Sequence, residues 1–187
     1  MGKIRSTIDD TAKKFIEAQK IFFVASAPLD GAGHINVSPK GLDTFRILGP
    51  TTVAYLDFNG SGVETISHLK ENQRIVLMFC AFQGLPEIFR LYGKGRVVEA
   101  HDPEFAVLTG SFLSSEHARS IIVVELTRIQ DSCGYGIPLF QYEGERAQLY
   151  AWARHKGSDG LKAYRQEKNR SSIDGLPGVA GLPSRGL

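Results

Sequence analysis

The chain has 187 residues, 42% of them hydrophobic and 22% charged, with a formal net charge of +2. That length suits one domain with a full core, residues 1–187, and the near-neutral balance excludes a strong field for nucleic acid or an anionic membrane. The longest apolar run, Ile75 to Phe82, is far too short to span a bilayer, and no apolar leader opens the chain.

Cys80 and Cys133 belong to no C-x-x-C pair, which suits a reducing compartment, so a cytoplasmic location is expected. The start, MGKIRS, matches the loose myristoylation pattern at Gly2 and Ser6, a pattern short enough to arise by chance.

In chain order, STIDDTAKKFIEAQK predicts a helix. Ser6 and Thr7 are its candidate caps, Asp9 and Asp10 lie in its first turn, and Ile8, Ala12, Phe15 and Ile16 give it one apolar face. The period then changes. IFFVASA (residues 21–27) predicts a buried strand, and LDGAGHINVSPKG turns at Asp30-Gly31 and returns with Ile35 and Val37 alternating with Asn36 and Ser38. TFRIL is a short strand, and TTVAYLDF a longer one after the Gly49-Pro50 turn.

ETISHLKENQ predicts a helix, RIVLMFCAF a core strand, and EIFRLYGKGRVVEA a long strand whose glycines permit a bulge. DPEFAVLTGSF predicts a short helix with Pro103 in its first turn. RSIIVVELTRIQD is β-branched and strand-like. After a loop, SCGYGIPLF, come two helical stretches, ERAQLYAWARHK and DGLKAYRQEKN. The remainder, from about residue 169 to 187, is Gly/Pro-rich and reads as a tail or a wrapping arm. Strands largely follow one another without intervening helices, so an antiparallel sheet or barrel is expected rather than a doubly wound parallel sheet.

The stretch DFNGSGVETISHL (residues 57–69) has the strand–glycine turn–helix form of a phosphate cradle, but no Lys or Arg. It lacks the third glycine and the distal acid of a dinucleotide fingerprint and the Gly-Lys-Ser/Thr of a P-loop, and Asn59 stands two positions before Ser61, where a nucleophile elbow needs glycine. Ser61 and Glu64 form S-x-x-E, a capping-box pattern, and His68 lies one helical turn beyond Glu64. A helix start can both be capped and bind an anion through its free N–H groups, provided a cation comes from elsewhere. Lys40, at the end of NVSPK, and Arg90, between Phe89 and Leu91 on a strand, are the candidates. The five histidines are scattered without metal-ligand spacing, so no metal site is expected.

Taken together, NVSPKG, TVAYLDFNGSGVETISHLKENQRIVLMF and EIFRLYGKGRVV resemble the pyridoxamine 5'-phosphate oxidase-like, FMN-binding split-barrel family, over about residues 10 to 130. DSCGYGIPLF and EKNRSSIDGLPG look like an uncharacterised subgroup of it. The resemblance implies a mainly β fold with flanking helices: a six-stranded antiparallel split β-barrel of Greek-key type. It also implies a homodimer with FMN between the subunits. It carries a cofactor-side role to Val37, Ser38, Lys40, Asp57, Ser61, Gly62, Thr65 and Arg90.

The chain departs from the family where its oxidases have an Arg-Lys pair at the helix start; here stand Val63, Glu64 and Thr65. Ile35 replaces an arginine at the start of the NVSPK strand, and the C-terminal substrate-phosphate arginines have no clear counterpart. The implied activity is FMN-dependent hydride transfer on a small molecule other than pyridoxamine phosphate, with no catalytic side chain assigned. A deazaflavin is the variant cofactor. The rival reading is a non-enzymatic flavin or haem carrier, in which a lone residue such as His34 would serve haem.

Overall fold

Side-chain alternation on three strands fixes one wall of the core. In β2 (Phe22–Ser26), β6 (Arg74–Cys80) and β7 (Glu87–Glu99) the buried residues line up across the sheet: Phe22 opposite Phe79 opposite Phe89, and Val24 opposite Leu77 opposite Leu91. The structure, a computed structural model, describes residues 2–182; Met1 and residues 183–187, the end of the anticipated tail, lie outside the described residues.

β5 (Thr52–Phe58) and β8 (Ala118–Cys133) are covered on both faces, which is why TVAYLD and SIIVV are continuous rather than alternating runs. Tyr55 and Ile122 join the main core, while Leu56, Ile121 and Val123 face a second cluster with Phe112 and with Phe105 and Leu108 of α3 (Pro103–Thr109).

All strand pairs are antiparallel, in the order β3-β2-β6-β7-β8-β5-β4, with β3 at Asn36–Lys40 and β4 at Phe45–Ile47. Six of these strands are the long ones expected of a split barrel. The strand count still departs from six, because β4 adds a seventh and β1 (Ile4–Arg5) an eighth, paired to β8 at Gln130 and Ile129. Two residues on an edge give no periodic signal, so β1 had none to read. The sheet curls: Phe45 on one edge strand meets Phe22 at 5.4 Å and Phe79 at 5.0 Å from the far half. The β2–β3 connection runs over residues 27–35 and turns at Asp30-Gly31 as expected, with the Gly33 N–H donating to the Asp30 carbonyl at 3.0 Å.

The glycines of β7 permit two close approaches. The ladder with β8 shifts between Tyr92 and Gly93, where a Cβ would meet the Glu125 carbonyl oxygen at 2.4 Å. At Gly95 a Cβ would meet Leu69 of α2 (Glu64–Asn72) at 2.8 Å, so the glycine lets that helix lie on the strand.

α1 (Asp10–Ala18) is capped by Asp9, whose Oδ1 accepts from the Ala12 N–H at 2.8 Å; Ser6 and Thr7 are not its caps. Its buried residues are Ala12 and Ile16, and Phe15 packs on Phe89 at 4.9 Å. α4 (Gln148–Lys168) is interrupted at Gly157, which matches the two helical stretches expected there.

The described part of the C-terminal segment is a wrapping arm. Val179 and Gly178 N–H groups donate back to the Asn169 and Arg170 carbonyls, Ala180 N–H donates to Glu99, and Lys70 of α2 donates to the Gly178 carbonyl. Lys70 and Glu99 also pair at 2.6 Å. Phe89 is a core side chain shared by the sheet, α1 and the Arg5 guanidinium, which lies 5.0 Å above its ring. Phe89→Ala is expected to lower stability by about 3–5 kcal/mol in urea denaturation, while Val107→Ala on exposed α3 surface stays within about 0.5 kcal/mol.

Candidate functional site

Asp57 is the penultimate residue of β5 and is only 1% exposed. An isolated carboxylate there would be very costly, so its partners matter. Lys40 at the end of β3 donates to Oδ1 at 2.9 Å, Arg119 Nε donates to Oδ2 at 2.7 Å, and the Ser120 hydroxyl lies 3.4 Å from Oδ2. Burial alone pushes the carboxyl up. The charges of Arg119 and Lys40, with their hydrogen bonds, overcome that and hold it at about 2.

Arg119 reaches this position through a bulge. Asp57 pairs with Ser120 and Phe58 with Ala118, so Arg119 is the extra, unpaired residue of β8 and its side chain is re-aimed inward. Its two Nη atoms then donate to the Gly60 and Gly62 carbonyls at 3.1 and 2.7 Å.

The turn at residues 59–63 is therefore held by its carbonyls. Asn169 Nδ2 donates to the Gly60 and Ser61 carbonyls, Asn59 Nδ2 donates to the His117 carbonyl, and Arg165 Nη1 donates to Asn59 Oδ1 at 3.1 Å. Among the described residues, nothing accepts from the backbone N–H groups of Ser61, Gly62 or Val63. Those donors, and the first-turn N–H groups of α2, are available to an anion.

The expected capping box does not form. α2 begins at Glu64 with Val63 as its N-cap and no side-chain cap bond, so Ser61 lies two residues outside the cap position. Glu64 Oε1 instead accepts from the Ile173 N–H of the arm at 3.3 Å. His68 does not turn to Glu64 either. It is fully buried, with Nδ1 3.0 Å from the Ser26 hydroxyl, and burial lowers its pKa.

The named residues divide into two groups. Ser38, Lys40, Asp57, Ser61, Gly62 and Thr65 gather at the barrel mouth. Asn36 ties β3 to α2 by donating to Thr65 Oγ1 at 3.0 Å, and accepts from the Ser38 hydroxyl of its own strand at 3.3 Å. Thr65 is buried behind it, whereas Ser61 and Gly62 are exposed.

Val37 and Arg90 lie on the opposite face. Arg90 aligns across the sheet with Met78, Phe23 and Pro39, alternating with the core residues, and its Nη1 donates to the Ser132 hydroxyl at 2.9 Å. Phe89 and Leu91 do face the core, as the alternation required. The cations nearest the turn are thus Lys40, Arg119 and Arg165. Sequence reasoning did not find the last two, because a bulge and a contact 106 residues distant leave no local signal.

Three cations stand against two carboxylates, the buried Asp57 and Glu64, whose Oε2 lies over Gly62; the balance is positive, and the free N–H groups add to it. The donor set fits a phosphate. Among the described residues no cluster of three or more His, Cys, Asp or Glu could hold a metal ion, and His34 Nδ1 is engaged by Asp174 at 2.6 Å.

The curled antiparallel sheet with flanking helices defines a split-barrel protein, and comparison with solved structures agrees. HupZ of Group A Streptococcus superposes with a TM-score of 0.52 at 19% identity, over 67% of this chain and 99% of that one. An FMN-binding protein of Syntrophomonas wolfei superposes at 0.50 and 14% identity, over 70% and 86%. In sequence, residues 8–133 match the pyridoxamine 5'-phosphate oxidase family. The pyridoxamine 5'-phosphate oxidase family protein ustO of Aspergillus flavus is 40% identical over 92% of this chain and 76% of its own length. The chain belongs to the pyridoxamine 5'-phosphate oxidase family.

Asp57 makes stability depend on acid. Its folded-state pKa, about 2, lies below the ordinary carboxylate value of 3.8, so its contribution is fully present above about pH 4 and is lost as pH falls through 2. Asp57→Asn, which leaves Lys40 and Arg119 uncompensated, is expected to cost about 3–5 kcal/mol at neutral pH and to flatten the urea-midpoint profile between pH 4 and 2. Circular dichroism across that range checks both.

Proposed function

We propose that this protein is a flavin-dependent oxidoreductase that binds FMN, acting as a cytoplasmic homodimer on a small-molecule substrate other than pyridoxamine phosphate. The observation that carries the reading is the positive barrel mouth: a glycine turn with unpaired N–H groups, backed by Lys40, Arg119 and Arg165. Family membership and the FMN-binding relative of the same fold support it.

When bound, FMN supplies hydride transfer at N5. The chain supplies position and field. The N–H groups at residues 61–63 hold the phosphate, with Ser61 and Gly62 exposed beside it. Lys40 uses one ammonium hydrogen on Asp57 and has two left for the cofactor. Ser38, Asn36 and Thr65 tie β3 to α2 beside the turn and would fix the polar face that β3 offers the cofactor.

The exposed edge strand β3 supports a dimer: Val37 on it stands 61% exposed and Ile35, just before it, 76%, an apolar edge that a second copy would cover. Val37 and Arg90, on the outer face, serve the cofactor from that side of the interface.

Purified protein is expected to show flavin absorption bands that NAD(P)H bleaches. Flavin that binds but is never reduced would favour a carrier. A protein that takes up neither FMN nor a deazaflavin would overturn the reading. Lys40→Ala is expected to weaken FMN binding about tenfold or more in a fluorescence titration, and unchanged affinity would remove Lys40 from the site.

A further inference from the structure

α4 leaves helical geometry at Gly157, with φ 62 and ψ 178, so residues 158–168 begin a new helix. Beside that break lies a groove of about 460 Å³ whose polar lining is Glu116, His117, Arg154, Ser158 and Arg165. Of these residues only Arg165 is shared with the barrel mouth, through its bond to Asn59; Glu116, His117, Arg154 and Ser158 are not part of it. The α4 residues of the groove also fall outside the family-matched segment, residues 8–133.

Arg165 is the informative side chain. It is half-buried, and among the described residues its hydrogen-bond partner is the neutral amide oxygen of Asn59, with no carboxylate in reach. Burial lowers its pKa, and the charge of Arg119 lowers it further. A half-buried cation beside another cation is an arrangement that a bound anion relieves.

Two further observations, one on the loop before β8 and one on α4 itself, converge on the same groove. His117 holds a left-handed backbone, φ 72, although it is not glycine, and its buried Nε2 makes no hydrogen bond; Glu116 Oε1 is 3.5 Å away. The new helix opens at Ser158, where first-turn N–H groups have no intrahelical acceptor, while Asp159 in that turn faces solvent. Arg154 is exposed at the rim. The lining thus holds two arginines and a histidine against the single carboxylate of Glu116.

We propose that this groove is a second anion site, which borders the glycine turn at Arg165 but uses Arg154 and the 158–168 helix start instead of the turn's N–H groups, and takes a phosphoryl group of a substrate or of a phosphorylated second cofactor. It rests on the flavin reading only in treating the turn at residues 59–63 as the place of the FMN phosphate.

The test is phosphorus NMR titration of the full-length protein with inorganic phosphate and with pyrophosphate, first without flavin and then saturated with FMN. Saturable binding is expected in both states, weakened at least about tenfold by Arg154→Gln and by Arg165→Gln, with FMN affinity unchanged in Arg154→Gln. Arg154 is exposed and outside the core, so its variant keeps the test decisive if Arg165→Gln fails to fold. Tighter binding of pyrophosphate assigns a dinucleotide-type cofactor, and equal binding assigns a monophosphate substrate. Absence of saturable binding, or binding that FMN displaces and Arg154→Gln leaves unchanged, overturns the proposal. A protein that takes no FMN yet binds phosphate through Arg154 keeps the groove and loses the flavin reading.

Discussion

The buried Asp57 carboxylate organises the barrel mouth. Lys40 comes to it from one edge of the sheet and Arg119 from β8, and Asp57 itself belongs to β5. Strands that are not neighbours are thereby fixed to one point. A charge at 1% exposure is stable only while both partners remain, so the three side chains act as a unit. The unit also sets the turn, because the guanidinium that neutralises Asp57 turns its remaining donors to the Gly60 and Gly62 carbonyls.

That arrangement explains how a phosphate-type turn can do without basic residues of its own. Its cations are delivered from a strand bulge, an edge strand and a C-terminal helix. Glu64, the acid that would repel a phosphate, is engaged by the arm through the Ile173 N–H. The wrapping arm is therefore part of the electrostatics of the site as well as of the packing over α2. Because Arg165 and Asn169 both come from beyond the family-matched segment, the positive mouth depends on the chain's own C-terminal region.

Most of the fold was legible in the sequence because hydrophobic periodicity is a local property. The strand at TTVAYLDF, the helix at ETISHLKENQ and the long strand EIFRLYGKGRVVEA fall within a residue or two of their observed bounds. β1 was not legible, since two residues at an edge carry no period. The capping box failed for a different reason. S-x-x-E describes a helix that starts at Ser61, but tertiary bonds to Gly60, Ser61 and Gly62 hold those residues in the turn and delay the helix to Glu64. Alternation put Arg90 on the outer face, yet it could not say that Lys40 would face inward towards Asp57, 17 residues further on. Arg119 and Arg165 were invisible because their roles exist only after the sheet has closed.

The most direct measurement of the account is mass spectrometry of whatever small molecule is released when the natively purified protein is denatured. FMN is expected, at about one per chain, and is expected to be lost from protein in which Arg119 is replaced by a neutral residue. Protein that carries no flavin as isolated, and acquires none when FMN is supplied, would contradict it.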